Sequence, residues 1–396
     1  MTRRALVSGA SIAGLASAFW LSRTGWEVQV VERADAFRDG GQNVDVRGVA
    51  REVADRMGIT AVIRDRTTTE QGTRFVGRDG RTIGEFPAEA GVDGPTAELE
   101  ILRGDLARTI LEALPDGVDI VYGDAIERIH DAEGSARVRL TSGTEVEVDL
   151  VVVAEGVRSR TRSLVFGDAA ELDRLGLAIV YGTIERTDAD DDWWRWYVAT
   201  GERHVTLRPD AMGTIRATLA YRCERDEVTG VEREARESLL DGIFADAGWE
   251  ARRVLDGLAT SSDVYADDLA QVRMPAWSAG RVCVVGDAAW CVTPLAGGGS
   301  SLALIGPYVL AASLQDADVD AGLAAFESWM RPLVEETQDL PPGVPGIAYP
   351  TSRLGVSALR AGIRVAASAP VRRIAAKAFG GAATDERPLP SIRTDG

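Results

Sequence analysis

The chain has 396 residues and a formal net charge of -17, and its 45% hydrophobic content is usual for a globular protein of about two domains. The acidic charge argues against nucleic acid or an anionic membrane as its main partner, and no stretch reaches the roughly 20 apolar residues that span a bilayer. Because the charged N-terminus leads into a glycine turn instead of a signal peptide, we expect a cytoplasmic location. We also expect a monomer or homodimer.

Two residue types are too rare for several common classes of enzyme. His130 and His204 are the only histidines and neither lies in a recognisable motif, which argues against a zinc site or a Ser-His-Asp hydrolase. Lys377 is the only lysine, which argues against Schiff-base chemistry and a P-loop. The three cysteines are scattered, which predicts reduced thiols and no metal site. We therefore expect a bound cofactor to supply the chemistry.

Residues 5–32 predict a unit that binds a dinucleotide. An apolar run at 5–7 predicts a buried strand, Gly9 makes a turn, residues 12–21 predict a helix, and 26–31 return as a second strand that ends at Glu32. This layout places a pyrophosphate on a helix N-terminus and a carboxylate on a ribose hydroxyl. The alternative is a glycine turn in an unrelated α/β protein.

The glycine pattern of this unit departs from G-x-G-x-x-G at its middle position. Gly9 and Gly14 occupy the outer positions, but Ser11 replaces the glycine that normally lets the backbone approach the pyrophosphate. We expect the Ser11 hydroxyl to donate to a phosphate instead. Glu32 favours an adenosine ribose without a 2′-phosphate, which indicates FAD or NAD and not NADP.

The middle of the chain combines helices and hairpins with a region richer in strands. Periodicity and turn residues predict helices at 50–57 and 102–114, a strand at 118–121 and hairpins at 73–83 and 136–148. Strand-like runs at 178–185, 193–199, 204–207 and 214–222 then precede a helix at 231–245. Trp193, Trp194 and Trp196 share one of these strands, and they either form a sheet core or line an aromatic substrate pocket. Because neighbouring side chains on a strand face opposite sides, either Trp194 and Trp196 or Trp193 with Arg195 and Tyr197 can line such a pocket.

A second candidate ligand site follows at residues 280–301. A strand ends in Gly286-Asp287, and a glycine-rich loop at 293–301 then opens a helix at 302–314, so backbone N–H groups and a helix dipole can meet an anionic or electron-rich ligand. Helices are predicted at 322–334 and 353–379. We expect the second of these, which is amphipathic and basic, to pack across both domains and not on a membrane surface. The tail from residue 380 is expected to be frayed.

Three motifs in this order resemble the single-component FAD-dependent aromatic hydroxylases, the group A or p-hydroxybenzoate hydroxylase-like flavoprotein monooxygenases. They are the 9–14 loop with Glu32-Arg33, then 154–156 with Arg158 and Arg162, and finally Gly286-Asp287 with the loop at 294–299. The nearest likeness is to the tetracycline-inactivating monooxygenases and to polyketide hydroxylases. The family's Asp-Gly is Glu155-Gly156 here, and Trp290, Ser301 and Gly306-Pro307 also depart from its usual residues.

The resemblance implies an α/β fold in which a Rossmann-like FAD-binding domain carries an inserted β-sheet substrate domain and C-terminal helices. The implied FAD-binding domain is discontinuous and comprises residues 1–72, 96–175 and 266–330. The substrate domain comprises 73–95 and 176–265, the C-terminal helices comprise 331–380, and residues 381–396 form a tail.

The resemblance also implies roles for individual residues. The pyrophosphate would be held by Gly9, Ser11 and Gly14, the adenosine ribose by Glu32, and the adenine would lie against Arg33. Arg103 would reach the phosphate or ribityl region and Asp287 the ribityl–pyrophosphate part. The isoalloxazine ring would lie beside the following residues: Arg47, Pro294, Gly297, Gly298, Gly299 and Ser300. Substrate would contact Trp194, Trp196 and Leu295.

The activity that the resemblance implies is a monooxygenase reaction with FAD as cofactor, NADPH or NADH as reductant and O₂ as oxidant. A C4a-hydroperoxyflavin would transfer its distal oxygen to a small aromatic or polyketide-like substrate. The alternatives are a flavin reductase or oxidase without oxygen insertion, and a non-catalytic flavoprotein. Trp194-Arg-Trp196 also resembles the Trp-x-Trp motif of flavin-dependent halogenases, but Tyr197-Val198 follow it where that motif has Ile-Pro, and the catalytic lysine of those enzymes has no counterpart here. No side chain is assigned as a catalytic acid or base.

Overall fold

The computed structural model describes residues 2–68, 70–88, 99–132, 134–293, 297–339, 348–368 and 387–393 of the chain. Its strands, in chain order, are β1 (Arg4–Ser8), β2 (Glu27–Glu32), β3 (Asn43–Asp45), β4 (Gly72–Val76), β5 (Thr82–Pro87), β6 (Glu100–Leu102), β7 (Asp119–Tyr122), β8 (Ile126–Ala132), β9 (Ser135–Leu140), β10 (Glu145–Val148), β11 (Leu150–Val153), β12 (Glu171–Ile184), β13 (Trp194–Ala199), β14 (Arg203–Pro209), β15 (Ile215–Arg222), β16 (Tyr265–Arg273), β17 (Ser278–Ala279) and β18 (Val282–Val284).

The α-helices alternate with these strands. In chain order they are α1 (Ile12–Arg23), α2 (Val49–Met57), α3 (Thr60–Asp65), α4 (Arg103–Glu112), α5 (Arg160–Phe166), α6 (Arg233–Phe244), α7 (Ala251–Thr260), α8 (Asp287–Trp290), α9 (Gly299–Leu314), α10 (Val319–Gln338) and α11 (Arg353–Ala366). The predicted mixed α/β fold with C-terminal helices is confirmed. Among these helices, none combines the length and apolar character that crossing a bilayer would take.

A six-stranded sheet forms the Rossmann-like half of the molecule. Its order is β17-β18-β11-β1-β2-β7, and neighbouring strands run parallel except for β17. The central strand β11 is wholly apolar and buried, because α1 and the sheet β10-β9-β8 both pack against this part of the sheet. The turn between β1 and α1 therefore lies at the carboxyl edge of the strands, which is where ligands bind in such sheets.

A seven-stranded sheet forms the second half, in the order β16-β12-β15-β14-β13-β4-β5. All its neighbours are antiparallel except β13 and β4. One face packs on α6 and α7 around Val205, Leu219 and Phe244, and α11 lies against the other face at β5. The sheet extends beyond residues 176–265, the main segment predicted for the substrate domain, because β12 begins at residue 171 and β16 ends at residue 273. The division into those domains stays a prediction.

The C-terminal segment corrects one expectation. Of the helix predicted at 353–379, α11 ends at residue 366, and residues 369–386 lie outside the described part of the chain. Residues 387–393, which were expected to be frayed, are docked on the Rossmann-like half. Leu389 and Ile392 pack against its core, and the Tyr308 hydroxyl donates to the Pro390 carbonyl at 2.6 Å. Two apolar side chains and fixed backbone bonds thus order this segment.

Candidate functional site

The loop after β1 is built to bring a helix N-terminus to the edge of the sheet. Gly9 has φ 108°, and a Cβ at that position would lie 2.5 Å from the Ala154 carbonyl oxygen. A Cβ at Gly14 would lie 1.8 Å from the Gly9 oxygen, so both positions require glycine. Ser11 is the N-cap of α1, but its side chain makes no capping bond. The hydroxyl is thus available to other partners.

Arg103 brings a positive charge to this loop. It is the first residue of α4, its backbone N–H donates to the Gln42 carbonyl at 2.9 Å, and its Nη2 donates to Ser11 Oγ at 3.0 Å. Gly41 lets the preceding segment pass close to Arg103, because a Cβ there would lie 2.9 Å from the arginine Cβ. A guanidinium and the N-terminus of α1 therefore converge on one point, which suits a pyrophosphate.

Glu32 is held in place at the end of β2. Its carboxylate accepts the Ala10 N–H at 2.8 Å and the Ala34 N–H at 2.9 Å. These bonds fix the carboxylate beside the 9–14 loop while leaving further lone pairs for the hydroxyls of a ribose. The side chain of Arg33 is exposed next to it. The structure thus gathers the residues predicted for the adenosine and pyrophosphate, although their contacts with FAD stay predictions.

Asp287 lies at the same carboxyl edge of the sheet, after the parallel strand β18. It begins α8 directly after β18 and Gly286, whose φ is 61°. Its side chain is accessible from the cleft, but the surrounding protein desolvates it and raises the pKa of its carboxyl, an effect that the charge of Arg103 opposes. Arg162, which is buried, fixes α8 by donating from Nη1 to the Ala288 carbonyl at 2.9 Å.

The N-terminus of α9 is tied to the segment around β3. Ser301 is fully buried, and its Oγ accepts the Arg47 N–H at 3.0 Å and donates to the Asp45 carbonyl at 3.3 Å. Ser301 thus takes a structural role at a position where the family usually has asparagine. Two of the predicted contacts, Pro294 and Leu295, lie outside the described residues. The others in this loop precede or open α9, namely Gly297, Gly298, Gly299 and Ser300.

Orphaned polar atoms test whether this region fits a flavin. Among the described residues, Gln42 Oε1, Asp45 Oδ1 and Thr293 Oγ1 are buried without a hydrogen-bond partner. They belong to the two segments that the bond between Ser301 and Arg47 joins. Unpaired buried acceptors are costly, so a polar ligand with N–H groups, such as the pyrimidine edge of an isoalloxazine, fits here. The residues present therefore fit FAD.

Glu155, one of the departures from the family pattern, is a structural carboxylate. It accepts hydrogen bonds from Ser8 Oγ at 2.6 Å, Ser159 Oγ at 2.8 Å and the Thr161 N–H at 3.0 Å. These bonds join the ends of β1 and β11 to the start of α5. The carboxylate is thus engaged inside the protein.

Trp290 and Gly306, two further departures, compensate for one another. The Trp290 ring is buried and lies 4.7 Å from that of Trp277, centroid to centroid. A Cβ at Gly306 would approach Trp290 Cζ2 to 2.9 Å, so the glycine makes room for the indole. These replacements change the core and leave the cleft residues in place.

A cavity of about 1080 Å³ lies between the seven-stranded sheet and α11. Aromatic rings of the sheet form one wall, and small residues of the helix together with Leu359 and Ile363 form the other, so the walls are mostly apolar. The aromatic residues of the sheet wall are Phe75, Phe86, Trp194 and Trp196, and the small residues of the helix are Gly355, Ala358, Gly362 and Ala366.

The alternation along β13 decides which tryptophans face this cavity. Trp194 and Trp196 line it, with ring centroids 4.8 Å apart. Tyr197 faces the opposite side, where its hydroxyl donates to the Ala247 carbonyl at 2.7 Å within the α6–α7 core. Of the two sets left open by the sequence, the first is thus the one at the cavity. Contact between these tryptophans and a substrate stays a prediction.

Comparison with known proteins gives consistent results. A family model for an FAD binding domain matches residues 2–334. A flavin-dependent monooxygenase of a Phoma species is 33% identical over 389 residues, or 90% of each chain. The tetracycline destructase Tet(51) has a similar structure with a TM-score of 0.81 and 28% identity, covering 99% of each chain. Klebsiella pneumoniae HpxO, solved with FAD and uric acid, shares the fold with a TM-score of 0.76 at 20% identity, covering 95% of this chain and 96% of its own.

Proposed function

Because this chain belongs to the FAD-binding-domain family of flavin-dependent monooxygenases, we propose that it uses NADPH or NADH and O₂ to hydroxylate a small aromatic or polyketide-like substrate in the cytoplasm. The nicotinamide supplies two electrons, one oxygen atom enters the substrate, and the other leaves as water. FAD, when bound, would supply the activation of O₂. The roles of the protein are to bind, orient and exclude water.

The cavity beside Trp194 and Trp196 carries the substrate part of this proposal. Its volume of about 1080 Å³ lies just above the range of roughly 300–1,000 Å³ for small-molecule sites, which suits a fused or multi-ring compound. Its aromatic wall favours flat rings, which supports a substrate class related to the one that the name of the tetracycline destructase indicates. Glu202 and Arg222, charged residues of the lining that lie 3.4 Å apart, can orient a polar substituent.

The experiment that tests this proposal is steady-state oxidation of NADH and of NADPH by the FAD-loaded protein. Each is measured alone, with tetracycline, with multi-ring phenols, and with uric acid as a small heterocycle. We expect a multi-ring compound to stimulate oxidation and to gain one oxygen atom. Oxidation with peroxide as the sole oxygen product for every compound would indicate a reductase or oxidase, and an absence of any oxidation would indicate a non-catalytic flavoprotein.

The cofactor preference is a further prediction. We expect the apoprotein to bind FAD at least tenfold more tightly than FMN, because the 9–14 loop and Glu32 address the adenosine half that FMN lacks. Equilibrium titration with each flavin, followed by flavin fluorescence, measures the ratio. Equal affinity for the two flavins would contradict the assignment of this cleft.

A further inference from the structure

A buried charged cluster lies directly behind the cavity wall. Arg208 donates from Nε to Glu70 Oε2 at 2.7 Å, and its Nη2 lies 2.5 Å from Glu100 Oε2. The side chains of Arg208, Glu70 and Glu100 are 11%, 3% and 2% exposed. The guanidinium carbon also lies 3.9 Å from the ring centroid of Trp194, which lines the cavity. The cluster thus supports this part of the wall.

The same cluster also contacts β3, which we call the flavin-side strand because it precedes Arg47, a residue predicted to lie beside the isoalloxazine. Glu70 precedes β4 of the seven-stranded sheet, and Glu100 opens β6, which pairs with β3. Glu100 Oε1 accepts from Asn43 Nδ2 at 2.7 Å and from Thr68 Oγ1 at 2.8 Å. Since Asn43 lies on β3, one guanidinium links the substrate sheet to the segment that precedes Arg47.

Counted over the described residues, the charges of this cluster do not balance. Two carboxylates share one guanidinium, and the neighbouring Asp45 is already paired with Arg47 at 2.6 Å. A surplus charge is costly at a buried site, and one bound proton removes it. Burial raises the pKa of Glu70 to about 7, with Arg208 acting in the opposite direction and Glu100 reinforcing the rise.

We propose that Arg208 is a positioning residue that locks the cavity wall at Trp194 to β3, and that the surplus carboxyl of Glu70 makes this lock sensitive to pH. The proposal rests on the proposed function only in taking the cavity as the substrate site. With Glu70 protonated the cluster is neutral and closed. When Glu70 ionises, the uncompensated carboxylate draws in water and weakens the link between the sheet and the flavin-side strand.

The raised pKa of Glu70 means that its contribution to folding stability falls as pH rises. Because the pKa of Glu70 rises from 4.5 in the unfolded chain to about 7 in the folded protein, its contribution to stability is complete below 4.5 and is lost as pH rises to about 7. The Glu70→Gln variant keeps the shape and removes the surplus charge. In this pH window we expect the slope of its unfolding free energy against pH to differ from the wild-type slope by roughly one bound proton. Near pH 8 we expect its Tm to exceed that of wild type.

The first arm of the test is thermal unfolding of the full chain, with and without FAD, from about pH 4.5 to about pH 8.5. Glu85→Gln is the matched control, because Glu85 pairs with Arg74 on β4 but is 42% exposed. It should keep the wild-type profile. A Glu70→Gln variant with the wild-type slope and a lower Tm near pH 8 would overturn the proposal.

The second arm tests positioning by rescue. Arg208→Met leaves two buried carboxylates without a cation, so its Tm should fall most at high pH, and adding Glu70→Gln should restore part of the loss. FAD affinity should decline above about pH 7 in wild type and Glu85→Gln but stay level in Glu70→Gln. The proposal would be overturned if the Tm changes of the two substitutions were additive and if FAD affinity depended on pH in the same way in all three proteins. Neither measurement requires catalytic turnover, so both test the proposal even if the protein does not insert oxygen into a substrate.

Discussion

Replacing Arg103 with methionine should lower FAD affinity by roughly 10- to 100-fold. The guanidinium donates to Ser11 Oγ at 3.0 Å beside the N-terminus of α1, where the pyrophosphate is predicted to bind. A hydrogen bond to a charged group contributes about 1.5–3 kcal/mol, and each 1.4 kcal/mol is tenfold in affinity. Titration of the apoprotein with FAD, followed by flavin fluorescence, measures the loss.

Arg108→Met is the matched control for this variant. Arg108 lies on the same helix, α4, but its side chain is 38% exposed and pairs with Asp39. Its removal changes the charge of the protein by the same amount and should leave FAD affinity within about twofold, because exposed ion pairs contribute little. Equal losses of FAD affinity in the two variants would show a general charge effect. An FAD affinity of Arg103→Met equal to that of wild type would refute the pyrophosphate assignment.

Truncation of the cavity tryptophans should have the second large effect. Trp194→Ala and Trp196→Ala each remove an aromatic surface from the cavity wall, and we expect each to raise the KM of the stimulating substrate by about 10- to 100-fold. Full burial of a large apolar side chain against a ligand contributes about 1.5–3 kcal/mol, which corresponds to that range. Substrate-stimulated oxidation of NAD(P)H measures the change.

Trp249→Ala separates binding from stability in this experiment. Trp249 lies on the opposite side of the sheet, with its ring centroid 5.8 Å from that of Tyr197. Its truncation should lower Tm and leave KM unchanged. If all three tryptophan variants lower Tm while none raises KM, then Trp194 and Trp196 belong only to the core and the substrate binds elsewhere.

The grouping in space of the residues predicted for the cofactor could be inferred from the sequence, because local constraints determine it. Gly9, Ser11 and Gly14 are close in sequence, and their spacing alone constrains a turn that only small residues allow. Glu32 follows at the end of the next strand, where parallel pairing must bring it beside the loop. Local constraints of this kind are visible without knowledge of the packing.

The cavity and the cluster behind it could not be predicted in the same way. Alternation showed that at most one set of these residues can line a pocket, but only the packing of α6 and α7 on one face of the sheet decides which set. The second wall, α11, follows far along the chain. Glu70, Glu100 and Arg208 are widely separated in sequence, and no spacing marks them as neighbours. Tertiary contacts of this kind carry no local pattern.

The central claim is that this protein inserts oxygen into a substrate, and isotopic labelling tests it most directly. The FAD-loaded protein is supplied with ¹⁸O₂, NADPH or NADH, and the compound that most stimulates oxidation, and the product is analysed by mass spectrometry. We predict that the product carries one ¹⁸O atom and that this yield matches the nicotinamide consumed. Substrate recovered without ¹⁸O, with all label in peroxide and water, would contradict the claim.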